Sequence, residues 1–225
     1  MNFETRIIDA GFFVGANSAS RLFVIITVIS RMKFLIAGLG NAGEEYANTR
    51  HNIGFDVVAA FVQKHNGTFS SGRLAYVAEV KWKGKTCVCI CPVTFMNLSG
   101  KAVKYWMDKE KIPLENILIV VDDLALPITK LRLRPTGSSA GHNGLKSVEE
   151  SLGTQAYAKL RFGIGNNYPK GRQVDFVLAK WDKDEVPVVK FKIENAVAAI
   201  EAFISVGIAR AMTEINNKVF PYEKS

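Results

Sequence analysis

Two hydrophobic patterns alternate along the chain, and each predicts a different kind of element. Apolar runs at residues 34–37 and 116–121, and a third at residues 160–164 that contains Arg161, are typical of strands that are buried on both faces of a parallel sheet. Apolar positions spaced three and four residues apart predict helices at about residues 54–65, 101–109, 142–152, 184–205 and 209–216. Strands that alternate with helices in this way indicate an α/β fold.

Shorter patterned segments lie between these elements. Residues 74–82 and 85–92 alternate on either side of Lys83 and Gly84, which predicts a hairpin. Residues 130–134 alternate three cations with two leucines, which predicts a strand with one basic and one buried face. We expect a loop at residues 70–72 and a short strand at residues 174–178. Together the elements predict a single globular domain, with a twisted, mostly parallel mixed β-sheet flanked by helices.

The first 31 residues stand apart from this pattern. Their apolar run at residues 22–29 is bounded by Arg21 and Arg31 and is too short to span a bilayer. A secretory signal fits poorly, because no small-residue cleavage motif follows the run. We interpret residues 1–31 as an N-terminal extension from an upstream start, and Met32 as the opening of a domain of residues 32–225. A genuine extra segment or a targeting peptide is the alternative.

Composition narrows the class of partner. The 29 Lys and Arg against 21 Asp and Glu give a net charge of +8, which favours an anionic partner, most commonly nucleic acid. Cys87, Cys89 and Cys91 alternate on a predicted strand, so all three face the same side. Their spacing suits neither a zinc knuckle nor a redox pair, and we expect them to pack in the core of a protein from a reducing compartment.

A glycine motif follows the first predicted strand. Gly38, Gly40 and Gly43 have the spacing of a dinucleotide-binding loop. The following residues contradict that function, because helical periodicity begins only about ten residues later. Glu44 and Glu45 would also repel a phosphate, and no acidic strand end follows where the ribose ligand belongs. A dinucleotide enzyme is therefore a distant alternative.

Polar side chains collect where the predicted elements meet. They are Asn41, His51, Asn97, Asp122 and Asn143. Each alone has an ordinary structural explanation as a turn or cap residue. Together they supply a histidine to take a proton, an aspartate to fix its tautomer, and neutral amide donors. This set suits hydrolysis in which water, and not a side chain, is the nucleophile.

The motifs that contain these residues resemble those of bacterial-type peptidyl-tRNA hydrolase, in the same order. They lie at residues 38–41, 49–54, 94–100, 122–124, 141–146 and 160–165, with Tyr46 between the first two. The resemblance covers about residues 32–220. It implies hydrolysis of the ester that joins a peptide to the terminal ribose of tRNA, with recycling of the tRNA. It implies no cofactor and no metal.

The resemblance also implies roles for individual residues. His51 would be the general base that activates water, and Asp122 would orient it. Asn41 would sense the peptide amide beside the ester. Asn97 and Asn143 would bind substrate and polarise the carbonyl, and the aromatic rings that line the cleft would be those of Tyr46 and Phe95.

The basic residues suit the acceptor stem and 3′ end of such a substrate. The candidates for phosphate contacts are Lys101, Lys104, Lys130, Arg132, Arg134, Lys146 and Arg161. Ordinary solvation is the alternative for such a set. We expect a monomeric cytoplasmic enzyme with peptidyl-tRNA as its partner and no membrane association. The competing class is a non-catalytic RNA-binding relative, which would keep the basic face and lose the His–Asp pair.

Three positions depart from the family pattern, and the resemblance assigns no role to two of the histidines. Ala42 stands where the family usually has proline, Ala140 replaces a glycine, and Ala125 lies where an acidic residue is common. His142 either tunes the site or supports its loop, and we favour support. We expect His65 at the surface.

Overall fold

A seven-stranded sheet runs through the centre of the computed structural model, which describes residues 32–222. Residues 1–31, interpreted above as an extension, lie outside the described residues. The strands are β1 (Lys33–Gly38), β2 (Ser70–Gly72), β3 (Ala75–Trp82), β4 (Lys85–Pro92), β5 (Ile117–Asp123), β6 (Leu131–Arg134) and β7 (Ala158–Gly163). Their order across the sheet is β2-β3-β4-β1-β5-β7-β6.

The four central strands are parallel, and the outer strands are antiparallel to their neighbours. β1 pairs in parallel with β4 and β5, and β5 pairs in parallel with β7. The β2–β3, β3–β4 and β6–β7 pairs are antiparallel. The predicted α/β class, with its mixed sheet and flanking helices, is confirmed.

Helices cover both faces of the sheet. They are α1 (Ile53–Lys64), α2 (Ser99–Glu110), α3 (Asn143–Leu152), α4 (Gln173–Leu178), α5 (Glu185–Val206) and α6 (Ile208–Asn216). One core packs α1, α5 and α6 against the sheet, and the other packs α2 and α3 against the opposite face. Among residues 32–222, no helix combines the length and the apolar character needed to cross a membrane.

The central strands β1, β4 and β5 are buried on both faces because each contributes alternate side chains to the two cores. Phe34 and Ile36 of β1 lie in the first core, and Leu35 and Ala37 lie in the second. In β4 the three cysteines face the first core while Val88 and Ile90 face the second, as predicted. Burial raises the pKa of the Cys87 and Cys91 thiols to about 12, so these groups are packing residues and poor nucleophiles.

The glycine motif after β1 serves helix packing. A Cβ on Gly38 would overlap the Gly54 carbonyl, and a Cβ on Gly40 would lie 2.8 Å from the Phe55 ring. The helix begins at Ile53, after an irregular stretch, so its N-terminus is not built into the glycine loop. This geometry agrees with the sequence argument against a dinucleotide site.

Three local predictions were wrong. Residues 174–178 belong to the helix α4 and not to a strand, because a short apolar run has no period that separates the two. Residues 70–72 form the edge strand β2, although Ser and Gly have low strand propensity. The His65 side chain is only 9% exposed, because it packs against Phe61 and Trp82 and bonds Glu201 at 3.0 Å, so this half-buried residue does not face solvent as expected.

Candidate active site

The carboxyl end of β5 places Asp122 at the bottom of a cleft. The strand delivers Asp122 and Asp123 at adjacent positions, beside Phe162 and Gly163 of β7. Asp122 is 2% exposed, so its carboxylate depends on neighbouring donors for hydrogen bonds. Parallel strands place their functional groups at this end of the sheet.

His51 reaches Asp122 from the turn before α1. The 3-10 turn Arg50–Asn52 carries it, and its Nδ1 lies 2.9 Å from Asp122 Oδ1. A hydrogen bond donated by Nδ1 to the carboxylate leaves Nε2 with the free lone pair. His51 is therefore arranged as a proton acceptor, with Asp122 fixing its tautomer.

His142 makes a second hydrogen bond to the same carboxylate oxygen. Its Nε2 lies 2.9 Å from Asp122 Oδ1. Its Nδ1 accepts from the backbone N–H groups of Gly144 at 3.1 Å and Leu145 at 3.3 Å, so it also caps α3. An Nδ1 that accepts from the backbone carries no proton, so Nε2 donates to Asp122. His142 thus supports its loop and also contacts the buried carboxylate of Asp122.

The two imidazoles keep Asp122 ionised. Burial by itself would raise the pKa of the carboxyl group, but interactions with His142, and then with His51, outweigh it. The pKa of Asp122 is therefore held well below its usual range. A permanent negative charge beside His51 stabilises the imidazolium that forms when His51 takes a proton.

Asn41 is fixed so that its amide nitrogen is available to a ligand. The backbone N–H of Met96 donates to Asn41 Oδ1 at 3.1 Å. Asn52 holds the Asn41 backbone on both sides, accepting from its N–H and donating to its carbonyl at 2.9 Å each. Because Oδ1 is occupied, Nδ2 is the free polar group of a residue that lines the cleft.

A cavity of about 930 Å³ joins these groups. Most of the predicted catalytic and substrate residues line it, namely Asn41, His51, Phe95, Asn97, Asp122 and Asn143. Phe95 is 75% exposed, which is unusual for an aromatic ring and leaves its face open to a ligand. Tyr46 is the exception, since it lies in the turn Glu44–Tyr46 and does not line this cavity.

The predicted phosphate contacts fall into two groups. Lys101, Arg132, Arg134 and Lys146 are exposed, while Lys104 and Lys130 are half-buried. Lys104 pairs with Asp108 at 2.6 Å, and Lys130 donates to the Lys218 carbonyl at 3.3 Å. None of these six lines the cavity, so any contact they make lies outside it.

Arg161 requires a correction. It lines the cavity but is only 8% exposed, and its guanidinium donates to Asp123 at 3.1 Å and to the Ser138 carbonyl at 2.5 Å. Two of its donors are therefore used inside the protein. The structure gives Arg161 a role in holding the loop after β6 against β5, in place of an open phosphate contact.

Sequence reasoning missed one wall of the cavity. Asn166, Tyr168, Gln173 and Val174 line it, from α4 and the loop before it. Residues 174–178 were predicted to form a strand, and a strand would belong to the sheet. The prediction therefore did not place these residues beside the cavity. The cluster Asn166-Asn167-Tyr168-Pro169 was the available signal, since such loops between elements often carry binding residues.

The donor set is better suited to hydrogen bonds than to a metal. Donor atoms of His51, Asp122 and His142 lie within 4.8 Å of one another, close enough to share an ion. A metal on His142 Nε2 would require the proton to move to Nδ1, where two backbone N–H groups already donate. That conflict disfavours His142 as a ligand.

Known proteins with similar sequences share one description. A sequence model of the family described as peptidyl-tRNA hydrolase matches residues 35–223. A peptidyl-tRNA hydrolase of Phocaeicola vulgatus is 52% identical over 187 residues, which are 83% of this chain and all of the relative. One from Porphyromonas gingivalis is 48% identical over 185 residues, covering 82% of this chain and all of the relative.

A solved structure agrees with the sequence comparisons. The crystal structure of peptidyl-tRNA hydrolase from Acinetobacter baumannii superposes with a TM-score of 0.79 at 31% identity. The alignment covers 84% of this chain and 97% of that one.

Proposed function

The chain belongs to the peptidyl-tRNA hydrolase family and hydrolyses peptidyl-tRNA, and we propose that His51 and Asp122 carry out this reaction. The bond cleaved is the ester between the peptide and the terminal ribose of tRNA. The observation that supports the assignment is the 2.9 Å pair of His51 Nδ1 and Asp122 Oδ1 at the wall of a cavity that Asn41, Asn97 and Asn143 also line.

The reaction needs no nucleophilic side chain. His51 Nε2 takes a proton from water as the water oxygen attacks the ester carbonyl, and Asp122 stabilises the resulting imidazolium. The tetrahedral intermediate collapses when the bond to the ribose oxygen breaks, and the imidazolium returns its proton to that oxygen. A ribose alkoxide leaves more readily than an amide nitrogen, so a base and oxyanion donors suffice.

The amides supply the remaining chemistry. Asn97 and Asn143 donate to the developing oxyanion, a contribution of about 10² to 10³ in rate for one donor in other enzymes. Asn41 Nδ2 donates to the carbonyl of the peptide bond next to the ester, since its Oδ1 is held by Met96. An aminoacyl-tRNA with a free amine lacks that carbonyl. This contact explains a preference for N-blocked substrates.

The tRNA lies outside the cavity, on the basic residues around it. Arg132 and Arg134 point outward from the edge strand β6, and Lys101 and Lys146 are exposed at the starts of α2 and α3. Contacts to phosphates carry no sequence information, which suits an enzyme that acts on many tRNAs. Tyr46, outside the cavity wall, remains a candidate for contact with the tRNA.

The domain boundaries, the oligomeric state and the cellular location of the enzyme are also proposals. We assign the activity to residues 32–225, since the family match spans residues 35–223. We propose that the enzyme acts as a monomer. We propose the cytoplasm because tRNA is used there and because Cys87, Cys89 and Cys91 are free thiols.

The test is release of labelled N-acetyl-aminoacyl groups from tRNA by the full chain. Wild type should release the label, His51→Ala should lose the rate by about 10² to 10⁴, and unblocked aminoacyl-tRNA should react poorly. Binding of tRNA is measured beside release. A wild-type chain that binds tRNA and releases nothing would be the non-catalytic RNA-binding relative instead.

A further inference from the structure

The residue before His51 is buried in another part of the molecule, and we infer that it positions His51 for the reaction. Arg50 is 3% exposed and shares the 3-10 turn Arg50–Asn52 with His51, yet it does not line the cavity. The inference rests on the proposed role of His51 as the base. Arg50 would act through His51 and would not touch substrate.

Arg50 ties the turn to the segment between α4 and α5. Its Nη1 donates to the Lys180 carbonyl at 2.6 Å and its Nη2 donates to Glu185 at 2.5 Å. Its backbone N–H donates to the Ala179 carbonyl at 3.0 Å, and the preceding Thr49 forms an antiparallel bridge with Lys180. Main chain and side chain therefore hold the turn against the same segment.

The far ends of these contacts are themselves anchored. Glu185 also accepts from the Asp182 backbone N–H at 2.9 Å and begins α5, the longest helix of the described chain. The Arg50 guanidinium lies 4.5 Å from the centroid of Phe176 and 5.2 Å from that of Trp181. We call Arg50, Phe176, Trp181 and Glu185 the Arg50 clamp.

The clamp also connects the base to the cavity wall. Phe176 belongs to α4, and Val174, Val177 and Leu178 of that helix line the cavity. One buried guanidinium therefore contacts the element that carries the base and the element that forms a wall of the substrate site. A planar fork that donates to two acceptors and stacks on aromatic rings is a property of arginine that lysine does not share.

The buried pair of Arg50 and Glu185 is better explained by positioning of His51 than by a gain in stability. Removing two charges from water offsets much of their attraction, so a buried ion pair is weak grounds for expecting stability. A base misplaced by about 1 Å, in contrast, reduces a rate by about 10²-fold. Removing Arg50 also leaves the Glu185 carboxylate buried without its partner and destabilises the fold, so a loss of kcat is the effect that is particular to positioning.

The test compares Arg50→Lys and Arg50→Met with wild type, using N-acetyl-aminoacyl-tRNA. We expect kcat to fall by about 10- to 100-fold while KM changes by less than about threefold, because no substrate contact is removed. The matched control is Val197→Ala, a cavity variant about three turns further along α5. Val197 is also 3% exposed, so its variant should lose stability and keep kcat.

A double variant separates positioning from general damage. If Arg50 acts through His51, adding Arg50→Met to His51→Ala costs no further rate, because the group being positioned is already absent. Independent effects would multiply instead. If Arg50→Met does not fold, Arg50→Lys and Glu185→Gln take its place, since the amide of Gln still accepts from Asp182.

Each outcome decides the inference. A reduced kcat in Arg50→Met that vanishes in the His51→Ala background supports it. A kcat equal to that of Val197→Ala, or losses that multiply, overturns the positioning role and leaves the proposed function intact. Full activity in His51→Ala alone overturns both, because no base would then remain to be positioned.

Discussion

Two imidazoles from different elements hydrogen-bond to Asp122 and keep its carboxylate ionised. His51 comes from the turn before α1 and His142 from the start of α3, and both contact the same oxygen at 2.9 Å. His142 is held in one tautomer by the backbone of α3, whereas His51 keeps a nitrogen free toward the cavity. The two histidines are therefore not interchangeable, and only His51 is placed to move a proton.

His142 has two roles that substitution can separate. His142→Asn keeps a side-chain acceptor for the α3 cap but loses the donor to Asp122, so we expect near-normal stability and a kcat reduced about tenfold or more. His142→Ala should lose kcat to a similar extent and about 1 kcal/mol of stability as well. Thermal melts and single-turnover rates measure the two effects. A wild-type kcat in His142→Asn would mean that the bond to Asp122 has no catalytic value.

Ala140 carries backbone strain in the loop that lines the cavity. Its φ is 51°, in the left-handed region that favours glycine, which is the residue the family pattern has there. Ala140→Gly should therefore raise the stability by about 0.5 kcal/mol, the strain relieved less the added freedom of the unfolded chain.

The matched control for this strain is Ala125→Gly. Ala125 is an exposed alanine on the same cavity whose φ is not positive, so its glycine variant gains freedom only in the unfolded state. We expect Tm to rise for Ala140→Gly and fall for Ala125→Gly. A lower Tm for both would show that the left-handed conformation at residue 140 costs little.

At the scale of elements, strand β6 shows how one pattern serves fold and function. Leu131 and Leu133 are buried, and Arg132 and Arg134 are exposed on the opposite face of an edge strand. The alternation that fixes the strand register therefore also fixes where the charges point. Arg161 of the neighbouring β7 was predicted to join this basic set, but burial turns it toward Asp123 instead.

Neutralising the edge strand should weaken tRNA binding in a salt-dependent way. For Arg132→Gln with Arg134→Gln, we expect the slope of log K against log salt to fall by about two, one for each lost phosphate contact. The kcat at saturating substrate should not change. Lys81→Gln with Lys83→Gln, at the β3–β4 hairpin, is the control that removes the same number of exposed charges. An unchanged slope in the double variant would place the acceptor stem elsewhere.

The sequence predicts an element well where its hydrophobic pattern extends over many residues. It predicts an element poorly where contacts with distant segments determine the structure. The helices α1 and α5 follow from their apolar spacing, and β5 follows from a run of buried residues. Residues 174–178 form a helix whose Phe176 packs on Arg50, more than a hundred positions earlier in the chain, and a short apolar run does not reveal such a contact. The role of Arg50 is not visible in the sequence for the same reason, since its partner Glu185 is also more than a hundred positions away.

At the scale of the whole molecule, a buried lysine behind the sheet links stability to pH. Lys192 of α5 is fully buried, donates to the Gly163 carbonyl at 2.7 Å and lies over Phe162. Burial lowers its pKa to about 6. Gly163 also pairs with Asp123, so Lys192 supports the strand ends that carry the site.

Stability should rise with pH above 7 because of this group. Between pH 6 and the ordinary pKa of lysine, the unfolded state binds a proton that the folded state does not, and raising the pH removes that penalty. The slope for one proton is about 1.4 kcal/mol per pH unit. Lys159, whose pKa burial lowers to about 8, acts in the same direction at higher pH.

Urea unfolding of wild type and Lys192→Met between pH 7 and 8.5 measures this slope. This window lies above the pKa of Asp56, which burial raises to about 6, and the titration of the cysteines in the unfolded state is common to both proteins and cancels between them. We expect the free energy of unfolding of Lys192→Met to depend less steeply on pH than that of wild type, by the slope for about one proton. Equal slopes would mean that Lys192 is charged in the folded protein.

The central claim is that His51 removes the proton from water and that Asp122 acts only through His51. The most direct measurement is single-turnover hydrolysis of N-acetyl-aminoacyl-tRNA by His51→Ala, Asp122→Asn and the double variant, with enzyme in excess. We predict that each single variant loses about 10² to 10⁴ in rate and that the double variant is no slower than His51→Ala. Losses that multiply in the double variant, or a His51→Ala chain that keeps the wild-type rate, would contradict the account.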